Sequence, residues 1–193
     1  MKKIILVLVL VMCFVADADL ETGHSEFNSE KTYENEDLSL GFDLPEGYKF
    51  ESEEVLLDNN KKLASILDEA PFDASISMAV MPNEDTSLYS VVVFEFQSRA
   101  KVNADYVKKF GNGFALLMAK SKGSSDVIQG ERTIYFCDQE VLCEETSYVI
   151  DGNTEYLLCY TGTLNNRHIC VFSWGTSEEA AAKLMECFYK VAD

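Results

Sequence analysis

The amino-acid sequence predicts an α+β domain in which an antiparallel sheet is flanked by helices. Three observations carry that expectation. Residues 126–174 alternate strand-like runs of eight to eleven residues with short turn pairs, the pattern of a β-meander. Tyr106, Val107, Phe110, Phe114, Leu117 and Met118 recur at helical spacing. Thr176 and Glu179 form a capping box ahead of another apolar stripe, which ends the chain in a helix.

Residues 1–18 read as a cleaved signal peptide. Lys2 and Lys3 give a positive start, residues 4–16 are an uncharged apolar run, and Ala16-Asp17-Ala18 is the small–x–small pattern that signal peptidase reads. Thirteen such residues span about 20 Å as a helix, short of the ~30 Å hydrocarbon core. Met12 before Cys13 argues against a lipoprotein, where a small residue is needed. Cleavage after Ala18 would leave Asp19 as the mature N-terminus. The sequence thus predicts a secreted protein with no stable membrane insertion after cleavage.

The mature chain keeps 14 basic and 32 acidic residues. Such an excess repels nucleic acids and anionic lipid surfaces, which are bound largely through Lys and Arg. The apolar fraction of 47% is that of a globular protein, and the length suits one domain over residues 38–193. Residues 19–37 carry seven acidic residues and one lysine and read as a flexible acidic spacer.

Leu38, Leu40, Phe42 and Leu44 alternate with Ser39, Gly41 and Asp43 in a strand that stops at Pro45. A turn over Pro45-Glu-Gly47 follows. The first helix begins at Ser52, whose hydroxyl suits an N-cap, with Glu53 and Glu54 at the positive end of the dipole. Asn59-Asn60 reads as a break within it. Residues 74–81 and 87–97 are two strands, the second rich in β-branched and aromatic residues. Asn103 is the N-cap of the second helix, which runs to about Ser121. In the meander, Gln129-Gly130, Asp138-Gln-Glu140, Asp151-Gly152 and Asn165-Asn166 are the turns; Asp151-Gly152 suits a type I′ hairpin. The last helix runs from Thr176 on a stripe of Ala180, Leu184, Cys187, Phe188 and Val191.

The chemistry-bearing residues form no recognisable catalytic set. Neither G-x-S-x-G nor a phosphate-binding glycine pattern occurs, so no catalytic, cofactor or metal residue is assigned and no cofactor is expected. His24 lies in the spacer. His168, with a carboxylate and a thiol or hydroxyl of the meander, is the best candidate for an alternative reading as a secreted hydrolase. Asp138, Glu140, Glu144 and Glu145 form an acidic cluster, but alternation divides it between two strand faces. Five cysteines remain once Cys13 leaves, at spacings unlike a zinc template. If Asn165-Asn166 is a two-residue turn, Cys159 and Cys170 are diagonal, about 7–8 Å apart and too far for an unstrained disulfide. A four-residue loop would place them directly opposite.

The order of elements, with Leu40-Gly-Phe-Asp-Leu-Pro-Glu-Gly-Tyr48, Ser52-Glu-Glu54 and Ser173-Trp-Gly-Thr-Ser-Glu-Glu179, resembles PsbP-like (PsbP/Mog/DcrB-type) exported bacterial proteins over residues 32–192. The resemblance implies an αβα sandwich. It also implies a non-enzymatic exported binding or accessory module, whose partner would be an unknown protein or small-molecule ligand.

Overall fold

The computed structural model describes residues 31–67, 72–84, 89–98, 104–124 and 126–191. Its larger sheet is organised by three two-residue turns with positive φ at both positions: Cys137-Asp138, Asp151-Gly152 and Asn165-Asn166. Such turns match the right-handed twist of the strands they join. They connect β6 (Val127–Phe136), β7 (Gln139–Ile150), β8 (Asn153–Leu164) and β9 (Arg167–Gly175) into an antiparallel meander. Gln129-Gly130 is no turn; it lies inside β6.

The sheet continues from β9 to β5 (Val91–Ser98), β4 (Phe72–Pro82) and β3 (Tyr48–Phe50), in the order β3-β4-β5-β9-β8-β7-β6. β1 (Thr32–Asn35), β2 (Leu40–Asp43) and β10 (Phe188–Lys190) make a second, three-stranded antiparallel sheet in the order β1-β2-β10. The described residues also form three helices: α1 (Glu53–Ile66), α2 (Ala104–Ser121) and α3 (Glu178–Glu186).

The expected α+β fold, an antiparallel sheet flanked by helices as an αβα sandwich, is corrected by this arrangement. The described residues are mostly β, with 51% of them in ten strands of two antiparallel sheets and only three short helices among them. The reason lies in two segments. Thr32–Asn35, read within the acidic spacer, pairs with β2. Phe188–Lys190, read as the end of the last helix, leaves the helix and pairs with the other edge of β2. A sheet therefore covers much of the face where helices were expected.

Each face of the large sheet has its own core. Against one face lie α1 and α2, packing Phe110 and Phe114 onto Phe94, Phe172 and Trp174. Against the other lie the small sheet and α3, where Phe42 and Phe136 close on Phe188 at 4.8 and 4.9 Å between ring centroids.

The helix ends follow local chemistry. Ser52 caps α1 by accepting from the Val55 N–H at 3.3 Å. Ser177, rather than Thr176, caps α3 by accepting from Ala180. The α3 stripe is correspondingly Ala181, Leu184 and Met185. Asn103 lies outside the described residues. Asn59-Asn60 breaks nothing: Asn60 donates to the Ile76 carbonyl at 2.9 Å and accepts from its N–H at 2.6 Å. That paired contact falls where the β4–β5 register shifts between Ile76 and Met78, so a helix side chain satisfies backbone groups at the irregularity.

Candidate functional site

The two ends of the large sheet differ. β3 closes one edge with three residues, whereas β6 ends the other with ten. Among the described residues no strand pairs with the outer side of β6. Its sequence carries neither lysine nor proline, which commonly blunt an edge, and its two charges, Glu131 and Arg132, are held in ion pairs. The surrounding hairpin also presents large apolar side chains to solvent. Ile128 is 72% exposed and Tyr135 54%, and Leu142 and Val149 on β7 are exposed too. Tyr135 and Leu142 share one face by alternation, and Ile128 and Val149 share the other.

Ion pairs hold the hairpin from both sides. Lys108 of α2 reaches Glu144 at 3.2 Å and Glu131 at 3.6 Å. Arg132 reaches Glu145 at 3.2 Å and Glu178 of α3 at 2.9 Å. Glu144 and Glu145 thus turn to opposite faces, as alternation requires, each to its own cation. Among the described residues no three His, Cys, Asp or Glu side chains are placed to hold a metal ion.

Glu144 is the least comfortable member. Its Oε2 is buried without a hydrogen-bond partner among the described residues. Burial pushes its carboxyl above the usual range, and Lys108 only partly opposes that. A carboxyl raised on folding favours the protonated native state, so its contribution is present at low pH and lost as pH rises through the folded pKa. Glu144→Gln should therefore flatten the fall in stability as pH rises from about 4.5. Urea melts across that range check this, and an unchanged profile contradicts it.

The remaining polar groups serve the interior. Glu95, on the interior strand β5, accepts from Arg167 at 3.1 Å and from Asn35 at 3.2 Å. Arg167 also binds Asp37 at 2.6 Å, so the β1–β2 turn is tied to the large sheet. The Tyr89 hydroxyl donates to Glu51 at 2.9 Å and accepts from the buried Asn59; burial and the Glu51 charge push it far up. At the end of α2, Lys122 pairs with Glu155 at 2.7 Å and lies 5.8 Å from the centre of the Tyr148 ring. The Tyr148 hydroxyl faces Glu155 and the Trp174 indole, short of hydrogen-bond geometry to either.

Comparison with protein-family models and with curated proteins finds no match. The reading of function therefore rests on the residues themselves. Ala16, Ala18 and Asp19, which define the expected cleavage, and His24 lie outside the described residues. His168 is brought to a hydroxyl, Thr163 Oγ1, 2.9 Å from its Nδ1. The two residues are directly opposed on β8 and β9, the ordinary relation of cross-strand neighbours. The Asn165-Asn166 turn is the two-residue form, and Cys170 faces Thr161. Even so the two thiols touch: Cys159 Sγ and Cys170 Sγ are 3.4 Å apart, both buried and both free.

Sequence reasoning missed the open β6 edge. The run Val127–Phe136 is apolar at both ends and polar in the middle, a pattern that fits a strand but does not mark which strand of a meander ends outermost.

Proposed function

We propose that this chain is an exported, non-enzymatic binding module that docks an extended segment of a partner protein along β6. One observation carries the reading: a ten-residue strand edge without lysine or proline, beside four exposed apolar side chains. Backbone groups along the edge would provide the pairing, and alternate side chains the selection. The leader sequence supports export, with a mature chain beginning at Asp19. The resemblance to PsbP-like proteins points to the same class of role.

The partner segment is basic. Within residues 126–150, Asp126, Glu131, Asp138, Glu140, Glu144 and Glu145 stand against Arg132 alone. A second copy is disfavoured by a net charge of −17 on each chain. Nucleic acids and anionic membranes are disfavoured on the same ground.

Ile128→Lys with Tyr135→Lys tests the edge, since both side chains are exposed and lysine discourages strand addition. Pull-downs from the producing cell's envelope and culture fluid should retain a partner with the unaltered protein and lose it with the double variant at equal thermal stability. Binding of an alternating lysine–valine peptide, followed by calorimetry, should weaken at least tenfold in the variant. Equal retention by both proteins, or substrate turnover with no partner retained, overturns the reading.

A further inference from the structure

The buried thiols of Cys159 and Cys170 meet in the middle of the large sheet, beneath α2. Their positions are diagonal, with Cys159 opposite Phe172 and Cys170 opposite Thr161. The side chains nevertheless lean together to a sulfur–sulfur separation of 3.4 Å. Gly111 of α2 presses on them from above. A Cβ at that position would fall 2.5 Å from Cys159 Sγ, a clash, and 3.5 Å from Cys170 Sγ, an ordinary contact, so glycine here leaves room for the Cys159 sulfur. A disulfide needs about 2.05 Å, so closure asks the sulfurs to approach by about 1.4 Å.

We infer that Cys159 and Cys170 are an oxidisable cross-strand pair, which a peroxide converts to a disulfide stapling β8 to β9 beneath α2. One thiol attacks the peroxide oxygen, breaking the O–O bond, giving a sulfenic acid and releasing water. The second thiol displaces the hydroxyl from that sulfur, which leaves as water with the remaining thiol proton. Overall two S–H bonds and one O–O bond are broken, one S–S bond and two O–H bonds are formed, and the peroxide is reduced to two waters.

Three other cysteines provide the contrast. Cys137 and Cys143 are buried, and burial raises both thiols. The Cys159 thiol is raised too, first by its contact with Cys170 and then by burial, so what sets the pair apart is the sulfur–sulfur contact alone. Cys187 is half-buried on the far side of the sheet, donating to the Lys183 carbonyl at 3.3 Å. None of the three lies within hydrogen-bonding distance of another sulfur among the described residues.

Peroxide is small enough to reach a buried pair when α2 loosens, so oxidation should be slow on the folded protein and fast in mild denaturant. The purified protein, treated with hydrogen peroxide, unfolded and alkylated, should carry two fewer alkyl groups than the untreated sample. Trypsin should then join the peptide of residues 133–167 to that of 168–183, whose only cysteine is Cys170. Fragment masses should place the other half of the bridge at Cys159. Cys143→Ala should leave the bridge intact and Cys159→Ala should abolish it. The bridge joins diagonal positions and is therefore strained, so dithiothreitol should reopen it readily in the folded protein. An unchanged alkylation count, a bridge from Cys170 to Cys137 or Cys143, or sulfinic acid at either residue overturns the inference. The result is independent of whether β6 binds anything.

Discussion

Replacing Arg167 by alanine should cost about 3 kcal/mol of folding stability, because it leaves a buried carboxylate behind. The Glu95 side chain is 8% exposed and accepts from two donors, Arg167 Nη1 at 3.1 Å and Asn35 Nδ2 at 3.2 Å. Without Arg167 only the neutral amide remains, and the cost of desolvating the charge is no longer offset. The second ion pair of Arg167, to the exposed Asp37, adds little because water competes for both partners. Glu95→Gln in the same chain should recover much of the loss, since it removes the charge that was stranded. Urea unfolding of the two single variants and the double variant measures this coupling. A loss below about 1 kcal/mol for Arg167→Ala would mean that Glu95 is solvated and that the clamp on the β1–β2 turn is unimportant.

That pair also marks the limit of what the sequence makes legible. Glu95 is the single charge in Val91–Ser98 and interrupts the apolar run from Val91 to Phe96, and such an interruption signals a buried partner without identifying it. Arg167 is 72 residues away and becomes the partner only because β5 pairs with β9. Features set within a few residues were readable: the Ser52 cap, the α2 stripe, and the Asp151-Gly152 and Asn165-Asn166 turns. Features set by an edge offered elsewhere were not. Thr32–Asn35 carries too little apolar character to announce a strand, and Phe188–Lys190 continues a helical stripe until β2 offers it hydrogen bonds. The α+β expectation failed for that reason. The candidate docking edge was hidden in the same way, because the outermost position of β6 is a property of the whole sheet.

The largest effect expected of any substitution considered for the core is that of Phe114→Ala, about 4 kcal/mol. Phe114 is fully buried on α2, and its ring centroid lies 4.5 Å from Phe172, 6.1 Å from Phe94 and 6.3 Å from Trp174. Truncation removes the transfer energy of the ring and leaves a cavity bounded by rigid aromatic side chains, which collapse poorly into the space. The neighbours come from β5, β9 and α2 itself, so the void falls where the helix is seated on the sheet. Phe114→Leu should lose less, because most of the volume is kept. Leu57→Ala is the control: Leu57 is 57% exposed on α1 and should change stability by no more than about 0.5 kcal/mol. Denaturant midpoints at constant m-value decide the matter. A loss near that of the control would show that α2 is not held on the sheet by this aromatic cluster. A loss near 4 kcal/mol together with faster peroxide oxidation of Cys159 and Cys170 would tie the seating of α2 to protection of the thiols beneath it.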